Sequence, residues 1–115
     1  MEIDLHGYHP SEIVGSGVLD KIVQQAWEMG EHSLTLIHGH GRNRRNYTPT
    51  FVNTNTGYFG LEIRRALRYG DLRTWIHHTT LDCSKMGATT VRLRRNPSPS
   101  RASFNSDILP EQTWA

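Results

Sequence analysis

Apolar positions recur along the chain in two rhythms, and each rhythm predicts an element. Residues 1–5 (MEIDL) alternate, with Ile3 and Leu5 on one side, as in a short strand ending at His6-Gly7. Pro10 suits a first helical position and Glu12 sits where the helix dipole favours an acid. Val14, Val18, Ile22, Ala26 and Met29 then follow at helical spacing up to Gly30, which predicts a helix over 11–29, weakened in its opening turn by Gly15 and Gly17. Residues 33–38 (SLTLIH) are a compact apolar run closed by Gly39, which predicts a second strand. A strand, a helix and a strand within so short a span form a βαβ unit, so the two strands should lie parallel and adjacent.

Residues 42–57 are polar and turn-rich and read as a long loop. Between Gly57 and Gly70 one face carries Phe59, Ile63, Ala66 and Leu67, while Glu62, Arg64, Arg65 and Arg68 lie off it, which predicts a second helix. Residues 73–79 and 88–94 read as two more strands around a turn at Ser84–Gly87. In the last strand Thr89, Val91 and Leu93 alternate with Thr90, Arg92 and Arg94, as in a sheet covered on one face. From Asn96 onward Pro, Ser and Asn dominate, so residues 1–95 read as one domain and 96–115 as a flexible tail. The order βαβαββ predicts an α+β or α/β two-layer domain with a mixed sheet.

Composition narrows the class. The 115 residues suffice for one domain, and an apolar share of 36% with ten glycines argues against wholesale disorder. No apolar run approaches membrane-helix length and the N-terminus lacks a signal-peptide layout. The single Cys83 rules out a disulfide framework and fits a reducing, cytoplasmic compartment. Charge is segregated: residues 1–41 carry net −5, whereas 42–95 carry net +8 with ten arginines. Concentrated arginine favours a polyanionic partner over mere solvation, because the guanidinium fork matches phosphate oxygens.

Candidate chemistry falls at two strand ends. Asp4-Leu5-His6-Gly7 closes the first strand and His38-Gly39-His40-Gly41 the second, at the sheet edge where parallel βα units bind ligands. The Asp-x-His spacing puts Asp4 and His6 on one face, where the carboxylate orients the imidazole. Parallel neighbours should bring His6 near His38 as an acid–base pair. Gly39 and Gly41 suit a backbone nest for phosphate, and His40, Arg42, Arg44 and Arg45, with Arg64 and Arg68 on the second helix, complete the expected nucleic-acid contacts. The histidines come in pairs, but no HExxH or CxxC accompanies them, so no resident metal is expected. Mg²⁺ or Mn²⁺ carried in with substrate phosphate is the one metal reading, with Asp4 as its protein ligand.

These motifs carry a resemblance. Residues 3–10 (IDLHGYHP) and 34–41 (LTLIHGHG), then Gly60–Leu67 (GLEIRRAL) and Gly87–Leu93 (GATTVRL), together resemble the small MutS-related (Smr) domain over about residues 1–95. The resemblance implies a βαβαββ fold, similar to the C-terminal domain of a translation initiation factor, with two helices on a four-stranded sheet. It also implies DNA or RNA binding, with endonuclease (nicking) activity in some members. Asp4 and His6 fall on the family's first motif and His38, Gly39 and Gly41 on its second. The turn Ser84-Lys85-Met86-Gly87 stands where the family has a more glycine-rich one. Family members usually have sequence before the first strand, so the resemblance implies either an excised domain of a larger protein or a truncated paralogue. Two functions follow as expectations: a phosphodiester endonuclease built on Asp4, His6 and His38, or a non-catalytic binding module of a larger repair, recombination or translation quality-control protein. A small-molecule phosphate binder fits the size of the basic surface less well.

Overall fold

A computed structural model describes residues 1–39 and 57–111. The strands β1 (Glu2–Asp4), β2 (Ser33–Ile37), β3 (Ile76–Asp82) and β4 (Ala88–Leu93) form one sheet in the order β1-β2-β4-β3. β1 and β2 are parallel neighbours as the βαβ spacing predicts, and β4 runs antiparallel to both β2 and β3. The sheet is therefore mixed and four-stranded, and the fold is a small α+β domain.

Three helices cover one face: α1 (Pro10–Ile13), α2 (Val18–Glu28) and α3 (Tyr58–Tyr69). Leu5, Leu34, Leu36 and Val91 from the strands meet Ile13, Ile22, Val23 and Ile63 from the helices, all fully buried. Each such side chain removed from water stabilises the fold by about 1.5–3 kcal/mol, so this one interface supplies the main driving force. The alternation expected in β4 is observed. Thr89, Val91 and Leu93 are buried among the helices and Arg92 is exposed on the other side.

The helix expected over 11–29 is two helices. α1 starts at Pro10 in a capping box: the His9 ring Nδ1 accepts the Ser11 amide, and the Glu12 carboxylate accepts the His9 amide at 2.8 Å. That uses His9 structurally. The chain then breaks at Gly17, whose φ of +86° lies in the left-handed region that glycine adopts without steric cost. The strand expected over 73–79 lies three residues later. Leu72–Thr74 form a single 3₁₀ turn that buries Leu72, and pairing with β4 begins at Ile76. β3 then bulges away from β4 between His77 and Asp82, where the Thr80 hydroxyl donates to the His77 carbonyl and accepts the Arg92 amide.

The flexible tail expected from Asn96 is, through residue 111, a docked segment. The amides of Ser100 and Arg101 donate to the Glu28 carbonyl, and the Asn96 side chain donates to that of Trp27. These are carbonyls that the end of α2 leaves without a helical partner. Arg101 pairs with Glu28 at 3.1 Å, the Asn105 amide donates to Gln25, and Phe104, Ile108 and Leu109 pack against the core. Asn and Ser here serve as caps, so a polar composition does not signal disorder.

Deleting residues 96–115 should therefore destabilise the domain by about 2–4 kcal/mol, from three half-buried apolar side chains and the lost caps. The denaturant midpoint of the shortened chain checks this, and an unchanged midpoint would mean the segment contributes nothing to the fold.

Candidate active site

Parallel pairing places the ends of β1 and β2 at one edge of the sheet. The Leu5 amide still donates to the Ile37 carbonyl, and a Cβ added at Gly39 would lie 3.5 Å from the His6 Cβ. His6 and His38 thus share an edge, as expected. They do not share a site. Alternation sends His38 with Leu34 and Leu36 toward the helices and His6 with Asp4 to the opposite face.

His38 is 4% exposed and packs beside Phe59 of α3. Its Nδ1 faces the Gly39 carbonyl at 3.0 Å and its Nε2 faces the Thr89 hydroxyl at 2.9 Å. A carbonyl only accepts, so Nδ1 carries the proton. The hydroxyl accepts from Arg64 Nε at 2.7 Å and gives its own proton to Nε2. Both ring nitrogens are engaged and solvent is excluded. The expected shared site of His38 with His6 is therefore corrected: His38 is buried on the helix side of the sheet, apart from His6.

Arg64 is corrected likewise. On a helical wheel it lies off the apolar face, but in the structure it is 7% exposed. Its terminal nitrogen donates to the carbonyls of Lys85 and Ala88 at 2.8 and 3.2 Å, so it braces the β3–β4 turn from beneath instead of meeting solvent phosphate. Gly39 is needed for its backbone, with φ +80°, but its amide donates to the Gly87 carbonyl at 3.0 Å, as does that of His38. That amide is not presented to a phosphate. His40, Gly41, Arg42, Arg44 and Arg45 lie outside the described residues, as does the loop expected over 42–57. Arg68 is exposed on α3, one turn beyond Arg64.

On the open face the first motif forms the expected pair. Asp4 Oδ1 accepts from the His6 ring at Nδ1 (2.5 Å) and from the His6 amide (3.0 Å). Partial burial acts most strongly on the Asp4 carboxyl and pushes its pKa up. The hydrogen bonds from the His6 ring and amide and the charge of the ring together outweigh it, so the group sits below its ordinary value of 3.8. With Nδ1 bound to the carboxylate, Nε2 is the nitrogen left for chemistry. The His6 side chain is 68% exposed and borders an open cleft of about 580 Å³.

Ile37, Gly39 and the turn from Ser84 to Ala88 form the rest of that cleft. The turn contributes Lys85, a cation that sequence reasoning did not count among the site residues. Its signal was present in Ser84-Lys85-Met86-Gly87, read only as a variant turn. Among the described residues no group of three or more His, Cys, Asp or Glu side chains could hold a metal ion. The cleft as built offers an oriented imidazole, a lysine and room for an extended polyanion.

Two measurements test this arrangement. Thr89→Val keeps the shape but strips the hydroxyl from His38 and Arg64, and should cost about 2–4 kcal/mol in a denaturation curve, because a buried cation loses an acceptor. His6→Ala should raise the Asp4 pKa, read by carbon-13 NMR titration, since the ring no longer stabilises the carboxylate. An unmoved titration would mean the pair does not form in solution.

A family model for the Smr domain matches residues 3–94, from β1 to just beyond β4. No curated protein and no solved structure matches the chain. No described helix is long and apolar enough to cross a membrane. The match covers most of the chain, and it covers both the Asp4–His6 pair and the turn that faces it. The chain belongs to the Smr family, whose domain is known as a nucleic-acid-binding and nicking-endonuclease domain.

Proposed function

We propose that this chain cleaves phosphodiester bonds in nucleic acid, with His6 as the single general base. The observation that carries the reading is the Asp4–His6 pair, exposed at the edge of the cleft, with no partner on Nε2 among the described residues. A surface pair of this kind adds little to stability, so folding alone gives no reason for its geometry. A carboxylate on Nδ1 fixes the tautomer and supports the imidazolium that forms on proton transfer.

RNA is the substrate this arrangement serves with the fewest additional parts. His6 Nε2 takes the proton of a ribose 2′-hydroxyl, and the oxygen attacks the adjacent phosphorus. The bond to the 5′-oxygen breaks, leaving a 2′,3′-cyclic phosphate, and the leaving oxygen takes a proton from water in the open cleft. Lys85 stands beside the cleft to offset the charge that develops on the phosphoryl oxygens. DNA lacks the 2′-hydroxyl; there the same base would activate water, and Mg²⁺ or Mn²⁺ arriving with the phosphate would meet Asp4. Arg68, Arg42, Arg44 and Arg45 are proposed to hold phosphates. Binding without cleavage, as a module of a larger protein, is the competing reading.

Incubating the chain with labelled RNA and with the same strand carrying a 2′-deoxy sugar at the cut site tests the proposal. RNA should be cut to a cyclic phosphate and the substituted strand spared. Asp4→Asn and His6→Ala should melt like the wild type and retain binding, while cleavage falls by about 10²–10⁴-fold. A folded His6→Ala that cuts at the wild-type rate would remove His6 from the reaction. A wild-type chain that binds but never cuts would establish the binding-module reading.

A further inference from the structure

A second group of cations lies on the same face as the cleft, toward the other end of the sheet. Because Thr89, Val91 and Leu93 face the helices, Ala88, Thr90, Arg92 and Arg94 face away from them. Arg92 lies opposite His77 on β3 and Ser33 on β2. Arg94 donates its Nε to the Arg73 carbonyl, which fixes the guanidinium at the end of β4. Both arginines are exposed, and among the described residues neither pairs with a carboxylate. Between Arg92 and the cleft wall at Ala88 the surface is small and polar: Thr35 and Thr90 sit side by side, their hydroxyls bonded at 2.7 Å. Strand geometry puts Arg92 about 13 Å and Arg94 about 20 Å from Ala88, with about 7 Å between the two arginines.

Carboxylates set the width of this surface. On β1, Glu2 lies opposite Thr35 and Asp4 opposite Ile37; on β3, Asp82 lies opposite Thr90. The face therefore carries acids along both outer strands and none on β2 or β4. Neighbouring strands are about 4.8 Å apart, so the acid-free lane has room for one sugar–phosphate backbone. A duplex laid along it would hold the phosphates of its second strand over Glu2 or Asp82.

We propose that a single strand of nucleic acid lies along β4 on the open face, with its phosphates held by Arg92 and Arg94 and its reacting phosphodiester at His6. The proposal rests on the reading of the cleft as the cleavage site, but it makes a separate claim about binding. Among the described residues β2 and β4 place no Phe, Tyr or Trp on this face for stacking, so the grip is on the backbone and tolerant of sequence. It also means that substrate length matters: a strand must reach past the cleft by a few nucleotides to gain the second pair of contacts.

The test uses the full chain, fluorescence anisotropy with a labelled single-stranded RNA over a range of salt, and cleavage of both that strand and a dinucleotide. Arg92→Gln with Arg94→Gln should weaken strand binding on the order of tenfold and lower the salt slope by about 1.4, two lost contacts at about 0.7 each. Thr90→Glu, which sets a charge in the lane without touching either arginine, should weaken binding as well, and it guards against the loss of the Arg94–Arg73 contact. Cleavage of the dinucleotide, which fills only the cleft, should be unchanged in both variants once thermal melts show them folded. Unchanged affinity and slope in folded variants would overturn the lane, as would an equal loss of dinucleotide cleavage. Failure of the cleft reading looks different: His6→Ala would then cut normally while the lane variants still lost strand binding.

Discussion

The buried Thr89 hydroxyl is the contact on which the rest of the site depends. It accepts the Arg64 Nε proton from α3 and serves His38 Nε2 from the end of β2, while β4 carries it between the two. An arginine sealed under a sheet is tolerable only if its donors are met, and the desolvation of an unmet guanidinium would cost several kcal/mol. Thr89 meets one donor, and the carbonyls of Lys85 and Ala88 meet the terminal nitrogen. Satisfying that buried charge is what shapes the β3–β4 turn. Gly87 in the same turn then receives the amides of His38 and Gly39, locking the end of β2 to the start of β4. The floor and wall of the cleft on the open face are thus held from the helix side.

Strand parity sends the two histidine motifs to opposite faces of the sheet. Residues at even steps from Asp4 look out from the open face, and residues at even steps from Leu34 look into the helices. His6 and His38 are therefore neighbours along the edge and strangers across the sheet. One is an exposed imidazole with an oriented ring, the other a buried imidazole with both nitrogens engaged. A shift of one residue in the register of β1 against β2 would turn Asp4 and His6 toward the helices and leave His38 where β4 holds it, which is why the pairing of Asp4 with Ile37 matters as much as the identity of either side chain.

Periodicity made the strands, the second helix and the parallel start of the sheet legible, because burial on one face leaves a direct trace in the sequence. The Asp4–His6 pair was legible for the same reason, since a spacing of two is a statement about one face of one strand. What depended on contacts between distant segments was not. Arg64 reads as a surface cation until Thr89 and the carbonyls of a turn more than twenty residues away are placed around it. Asn96 and Ser100 read as tail until the open carbonyls at the end of α2 are there to be capped. The break at Gly17 was half visible: glycine weakened the helix on paper, but only the positive φ shows that the chain turns there. His38 shows the same limit, because a histidine at a strand end is equally suited to solvent or to a buried hydroxyl until the opposite strand is known.

Separating the buried network from the open face has a physical consequence for how such a domain can vary. On the helix side Arg64, Thr89 and His38 each satisfy another member, so a change in one leaves a buried polar group unmet and lowers stability. The open face is loosely coupled by comparison. Lys85, Arg92 and Arg94 are exposed, and their side chains can be exchanged with little effect on the core. The Asp4–His6 pair lies at the border, held by backbone register on one side and free to solvent on the other. A sheet that keeps its brace on one face and its polyanion-facing groups on the other can alter what it grips without disturbing what positions the imidazole. That separation follows from the two-residue repeat of a β-strand, which assigns neighbouring residues to opposite faces.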